Sequence, residues 1–296
     1  MKHLKKLFFP FLIIFLFIIV DLILIFLSNV ILKVDLSFTD FSSIYSILVI
    51  NIKSIIAAIL AFVLMYRHQL KRWYKMNVGT LNSIKRRDVF TGILFPFIGI
   101  TITIISLKLF SQIELNQAFP KLSDLLLLGL VCVLVSIKEE ILCRGYVLRE
   151  LMKSYSNKYI PLFICSFGFM ALHCFNPNLS ILGIINLFLA GLVLGISYVY
   201  TKNLIYPIFL HFSWNFSQMF YGFNVSGLKM PTSFFKIDYI SSNDFLTGGE
   251  FGLEGGLIGI ILNLILIYIS YVLYHKNRRV KIISDDLKIP NISFDQ

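Results

Sequence analysis

The chain has 296 residues, of which 57% are hydrophobic and only 15% charged, against about 25% charged residues in an ordinary soluble domain. With a mean hydropathy of +0.81, it cannot be a water-soluble enzyme or a disordered segment, and a polytopic membrane protein is implied. The net charge of +11 comes from basic residues gathered at the ends of apolar runs; that pattern sets topology in a bilayer, and no nucleic acid is expected as a partner.

Eight apolar runs long enough to cross about 30 Å of hydrocarbon follow one another at residues 7–32, 44–66, 89–110, 123–146, 159–175, 179–200, 204–222 and 255–274. The predicted fold class is an all-α polytopic membrane protein of about eight transmembrane helices. The first run opens like a secretory leader, "MKHLKKLFFPFL". Its apolar stretch is too long for one, and no small-residue cleavage site follows, so it is read as a retained span. It carries Asp21, and the second run carries Lys53. At 1.5 Å per residue both lie about 20 Å from the same face. An ion pair across the two helices is expected there, with a proton or ion path as the alternative. The fifth and seventh runs are the shortest. Cys132, Cys143, Cys165 and Cys174 fall in or beside apolar runs without a CxxC pair, and read as small buried hydrophobes rather than disulfides or thiolate ligands.

Basic residues cluster in three places: Lys2, Lys5 and Lys6; Arg67, Lys71, Arg72, Lys75, Lys85, Arg86 and Arg87; and Lys276, Arg278, Arg279 and Lys281. An even number of spans puts all three on one side. The positive-inside rule makes that side cytoplasmic, so a multi-pass plasma-membrane protein with both termini cytoplasmic is expected. The opposite loops, 33–43 and 223–254, carry mixed charge.

The fourth run ends "LLLLGLVCVLVSIKEEILCRGYVL", with two adjacent acids where each costs about 2.5–3.5 kcal/mol near a bilayer centre. Glu140 and Arg144 are four apart and share a helix face, while Glu139 points about 100° away. One acid is thereby neutralised locally and the other is directed to a different partner; an ion pair marking a helix end is the simpler reading. In the fifth run Phe169 and His173 share a face, an arrangement that ring packing at an interface would also explain. In the seventh, His211 and Asn215 share a face, where an interhelical hydrogen bond is the plain alternative. Asn186 in the sixth run is expected to add a polar group to the same interior. Together a carboxylate, two imidazoles and an amide come from three separate spans, the parts needed to activate water and hold an oxyanion. Two histidines and a glutamate also match a catalytic zinc ligand set with water in the fourth position, although no HExxH is present.

The ordered set EExxxR, FxxxH and HxxxN, each in its own membrane segment, resembles the CPBP family, which comprises type II CaaX prenyl proteases and bacteriocin-processing or Abi intramembrane proteases. The resemblance runs from about residue 122 to 273 and includes "FLTGGEFGLEGGLIGIILNLI" around the start of the last run. It implies three parts: variable N-terminal helices with a basic cytoplasmic loop at 1–121, a protease core at 122–275 in the C-terminal half, and a cytoplasmic tail at 276–296. The implied function is an intramembrane endopeptidase acting on a membrane-associated peptide or protein in the lipid bilayer, by CaaX-type or bacteriocin-type processing. Glu139 would then be the base that activates water, and His173 would assist it or bind a metal. His211 and Asn215 would polarise the scissile carbonyl and hold the oxyanion, with Glu140, Arg144 and Phe169 in support. A divalent metal such as zinc, if bound, would sit on Glu139, His173 and His211; a metal-independent glutamate mechanism uses the same residues. A non-catalytic scaffold or immunity factor with the same fold is the alternative. A proton-coupled transporter is less favoured, because the chain shows no inverted repeat. One expectation conflicts with a shared site: counted along the runs, Glu139 and His211 lie within about 10 Å of the cytoplasmic interface, but His173 about 20 Å deep.

Overall fold

The computed structural model describes residues 7–32, 43–66, 85–240 and 243–275. The basic clusters at residues 1–6, at 67–84 and at 276–296 lie outside the described residues.

Helix α1 (Leu12–Leu27) is led in by a 3-10 turn at Phe9–Phe11, with Pro10 where a missing N–H costs nothing, and leaves through a π-helical turn at Ser28–Leu32. Helix α2 spans Ile44–Tyr66. Helix α3 (Arg86–Leu109) has Asp88 in its first turn and Lys108 in its last, each at the dipole end that favours it. Helix α4 (Leu122–Glu140) passes without a break into a π-helical stretch, Ile141–Leu148, and then α5 (Arg149–Ser154). Next come α6 (Tyr159–Leu172), α7 (Ile181–Thr201) and α8 (Ile205–Phe220). A one-turn α9 (Asp244–Thr247) and two 3-10 turns precede α10 (Leu257–His275).

Each of the eight predicted runs holds a helix, and the chain is an all-α polytopic membrane protein. Five described segments are long and apolar enough to cross a membrane by length and composition: Phe9–Leu27, Ile44–Met65, Arg86–Leu109, Ile181–Thr201 and Leu257–His275. Helices α6 and α8 have 14 and 16 residues, about 21–24 Å of rise. They are the two shortest runs of the sequence. The apolar residues of the outer helices face outward, among them Phe15, Leu22 and Phe26 of α1, Ile102 of α3 and Phe167 of α6, as lipid contact requires. Small and polar residues turn inward instead. A Cβ on Gly191 of α7 would come within 2.7 Å of the Ser166 Cα of α6, so these two helices meet backbone to backbone at a glycine.

The Asp21–Lys53 pair forms as expected. Lys53 Nζ lies 3.0 Å from Asp21 Oδ2, and Ser54 Oγ donates to Asp21 Oδ1 at 3.2 Å, all three residues buried between α1 and α2.

A short two-stranded ribbon is the feature that helical periodicity could not announce. Strand β1 (Ile113–Gln117) pairs antiparallel with β2 (Phe235–Tyr239), Ile113 opposite Tyr239 and Gln117 opposite Phe235. It caps one face of the helix bundle. The opposite face gathers the start of α3, the end of α10, the end of α7 and the start of α6. There Tyr274 Oη donates to Asp88 Oδ1 (3.0 Å), Tyr200 Oη meets His275 Nδ1 (3.1 Å) and the Tyr159 and Tyr200 hydroxyls meet at 2.8 Å. The Lys158 ammonium stands 3.7 Å from the Tyr200 ring centroid, a cation–π contact. The start of α1 faces Glu150 and Lys153 of α5. Arg86, Arg87, Arg149, Lys153, Lys158 and Lys202 belong to this basic face.

Candidate active site

The two acids of α4 fall where the helix widens from α to π geometry, a distortion found mostly at functional sites. Glu140 turns fully inward. Its Oε1 accepts from Arg144 Nη1 at 2.8 Å and faces His211 Nδ1 at 2.9 Å. Arg144 is equally buried; its Nη2 donates to the Gly191 carbonyl at 3.2 Å, and its guanidinium lies 4.6 Å from the Phe169 ring centroid. The local i, i+4 pair read from sequence is present, and it reaches three further elements.

Glu139 faces elsewhere. Its Oε2 is 3.9 Å from His173 Nε2 and 3.9 Å from His211 Nε2. His173 caps the end of α6, with Nδ1 2.8 Å from the Phe169 carbonyl. A carbonyl only accepts, so Nδ1 carries the hydrogen there; ionised Glu140 imposes the same tautomer on His211. When neutral, both rings therefore turn the lone pair of Nε2 towards an acceptor oxygen of Glu139. Three acceptors converging at 3.9 Å need a proton, a water or a cation among them. Phe169 packs on both rings, at centroid distances of 4.7 Å to His173 and 6.2 Å to His211. Lys138, which the motifs did not single out, holds Nζ 4.0 Å from Glu139 Oε1.

Two imidazoles with Nδ1 pinned to oxygen, together with a carboxylate, are the donor types of a catalytic zinc. As the side chains stand, however, no group of three or more His, Cys, Asp or Glu among the described residues is placed to hold a metal ion. Bonds of about 2.1 Å to one tetrahedral ion bring its donors to about 3.4 Å from one another, closer than the 3.9 Å seen from Glu139 to either ring.

Between Glu139 and His173 the conflict in depth disappears because the helix carrying the acids does not end near residue 146, whereas His211 remains about 9 Å from the start of α8. The helix with the acids continues through Leu148 to Ser154, which places Glu139 about 22 Å from that end, and His173 lies about 21 Å from the start of α6. Asn215 is one turn beyond His211 in α8, buried, and lines the same cavity of about 180 Å³ as Glu139, His173 and His211. Asn186 corrects an expectation. Its amide does not face that cavity; it donates to the Glu254 and Gly256 carbonyls at 2.6 and 3.0 Å and accepts from Asn263 Nδ2 at 3.1 Å.

What Asn186 supports is the glycine-rich turn before α10. Gly248 and Gly252 adopt φ of 83° and 90°, and a Cβ on Gly252 would lie 1.9 Å from the Asn224 carbonyl oxygen; only glycine fits. The turn delivers the buried carboxylate of Glu254 under α8. Trp214 Nε1 donates to its Oε1 at 2.6 Å, and the Ser226 N–H and hydroxyl donate to its Oε2 at 2.9 and 2.6 Å. Trp214 sits between His211 and Asn215, so Glu254 fixes the face of α8 that they share. The sequence signal was an acid inside "GLEGG" with no charged neighbour.

Residues 121–217 match the family model described as Type II CAAX prenyl endopeptidase Rce1-like. The matched stretch contains Glu139, Glu140, Arg144, Phe169, His173, His211 and Asn215, and ends before the glycine-rich turn. No curated protein sequence matches the chain.

Proposed function

We propose that this protein is an intramembrane endopeptidase in which Glu139 activates water for attack on a peptide bond. The observation that carries this reading is the convergence of Glu139 Oε2 with the Nε2 atoms of His173 and His211, each at 3.9 Å, from three different helices. The match to an endopeptidase family over the same residues supports it.

A water lying between Glu139 and His173 gives up a proton to Glu139 as its oxygen attacks the scissile carbonyl. The developing oxyanion falls to the α8 side, where Asn215 offers its amide N–H and protonated His211 offers Nε2–H. Glu140 fixes the ring for that role, its Oε1 lying 2.9 Å from His211 Nδ1 so that Nε2 is turned to the cavity. Glu139 then passes that proton to the departing nitrogen as the C–N bond breaks, and the water's second proton follows from the new carboxyl group, so the products are a carboxylate and an ammonium and Glu139 ends as it began. Arg144 and Phe169 hold the two imidazoles and Glu140 in register. No step is routed through a metal. Zinc at Glu139, His173 and His211 would require those side chains to draw together, and a chelator decides whether that occurs.

The substrate class under this reading is a membrane-associated peptide or protein, with CaaX-type processing the nearest likeness and bacteriocin-type processing the other. Residues 122–275 form the protease core, 1–121 and 276–296 flank it, and the basic face lies on the cytoplasmic side of a plasma membrane. The test is cleavage of a fluorogenic peptide library by detergent-purified protein. Glu139→Gln and His211→Ala are each expected to lose at least about 100-fold in rate, the scale of general acid–base catalysis. If folded Glu139→Gln cleaves like wild type, the proposal fails and a non-catalytic membrane scaffold takes its place. Loss of wild-type activity in chelator, restored by zinc, would put a metal on the three residues.

A further inference from the structure

We propose that Lys138 is a specificity-determining residue of the cavity, where its ammonium receives a carboxylate of the peptide close to the scissile bond. This deepens the endopeptidase reading and rests on it for the position of that carboxylate relative to the cut.

Lys138 stands immediately before the two acids, outside the EExxxR spacing. From α4 the cavity takes Val131, Cys132, Val135, Lys138 and Glu139. These positions are three, four and seven apart and form one stripe of the helix. An apolar residue at 138 would continue the stripe of Val131 and Val135, and would suit a membrane helix, in which a lysine is costly. An ammonium stands there instead. No other lysine or arginine is among the described residues that line the cavity.

The partners of that ammonium are few. The Lys138 side chain is only 15% exposed, and its Nζ lies 4.0 Å from Glu139 Oε1, beyond the reach of a hydrogen bond. An ammonium has three donors, and none of them has a hydrogen-bond partner among the described residues. The neighbouring acceptors are committed elsewhere. Glu140 Oε1 is held by Arg144 and His211, and Glu139 Oε2 faces the two imidazoles. Glu254, on the same cavity, accepts from Trp214 and Ser226. A largely buried ammonium with unused donors calls for an acceptor brought by the ligand, and an ionised one makes the stronger bond.

Reach then limits which carboxylate it is. A charge-assisted bond of about 2.8 Å to an ammonium 4.0 Å from Glu139 puts the carboxylate within about 7 Å of that acid. Extended chain advances about 3.3–3.6 Å per residue. With the attacking water between, the carboxylate belongs to a residue within about three of the bond under attack. An acidic side chain beside the cut and the terminal carboxylate of a short leaving segment both satisfy this limit. Val131, Val135, Leu194 and Met230 favour apolar residues around it.

Binding tests this without turnover. The probe is a dye-labelled octapeptide of leucine and alanine in three forms: a C-terminal amide, the free C-terminal acid, and the amide with one central glutamate. Fluorescence anisotropy with the full chain in detergent is expected to show one or both acids binding at least about tenfold tighter than the neutral amide, the scale of a hydrogen bond between charged groups. The form that gains distinguishes a terminal from a side-chain carboxylate. In Lys138→Met the ratio of acid to amide should fall to about one, and in Lys138→Arg the gain should largely return, which loss of packing alone would not produce. Should Lys138→Met fail to fold, Lys138→Gln makes the same comparison. Equal affinity of wild type for all three forms, or binding of none, overturns the proposal. A wild-type preference for the neutral amide overturns it as well, and would leave Lys138 as a screen for Glu139. So does a preference for acid that survives Lys138→Met. Discrimination by a protein that cleaves none of the peptides would uphold the role of Lys138 and count against the endopeptidase reading alone.

Discussion

Arg144 holds Glu140, the Gly191 carbonyl and the face of Phe169 with one guanidinium. Lysine could supply the charge but neither the rigid fork that reaches two acceptors at once nor the flat stacking surface. Arg144→Met takes the guanidinium from buried Glu140 and leaves it His211 as a partner, at a cost of up to about 3–5 kcal/mol, and a large fall in the thermal midpoint in detergent is expected. Adding Glu140→Gln should return part of it. The Glu140–Arg144 pair was legible because four residues make one helical turn. The bond from Glu140 to His211 was not, since 71 residues separate them and no periodicity links a carboxylate to an imidazole on a distant helix. Asp21 and Lys53 show what long-range inference can do when two lone charges sit at matching depths in neighbouring spans. Asp21→Lys or Lys53→Asp alone should lower folded yield, whereas the double swap should restore it; a swap that restores nothing would mean the pair does not stabilise the α1–α2 contact.

At the scale of elements, hydropathy located a helix in each of its eight runs because a long apolar run has few other uses. Ends were harder. The fourth run was cut near residue 146 because its polar continuation, "RELMKS", reads as loop, yet it is helix α5; a helix that protrudes from the hydrocarbon keeps its hydrogen bonds and loses only its apolar signature. The π-helical stretch between the two has no sequence signature that period counting detects. Close helix contacts are set by single small residues. Gly191→Val would drive a side chain into the Ser166 backbone, and α6 cannot retreat without moving His173. Reduced folded yield is expected, with any surviving protein losing cleavage activity more than it loses thermal stability. Equal activity per folded molecule would show that α6 and α7 need not approach so closely.

Across the whole molecule, the motif residues converge as their order in the sequence suggested, but the wall that completes the cavity was hidden. Glu254 reaches Trp214 and Ser226 only because Gly248 and Gly252 take backbone angles that other residues resist. Glycine density in "GGEFGLEGG" signals a contorted turn, but not what the turn carries. Asn186 was legible as a buried polar group needing partners; its partner is that turn rather than the cavity lined by Glu139. Asn186, Asn263 and Glu254 thus spend buried polar groups on fixing one short segment against α8 rather than on facing the site.

The β ribbon has a consequence for how the protein is made. Strand β1 leaves the ribosome early, yet its partner follows much later, with 122 residues separating Asn116 from Asp238. During that interval α4 to α8 must be inserted while β1 waits with its edge unpaired. Helix α3 meanwhile waits for α8, whose Ser213 hydroxyl bonds the Ile93 carbonyl at 2.6 Å. The helices bearing Glu139, His173 and His211 are therefore all synthesised before the ribbon can close and before the glycine turn can fix α8. Assembly of the site is a late, post-insertional event, so a nascent chain would carry every motif residue before it could hold them in a working arrangement.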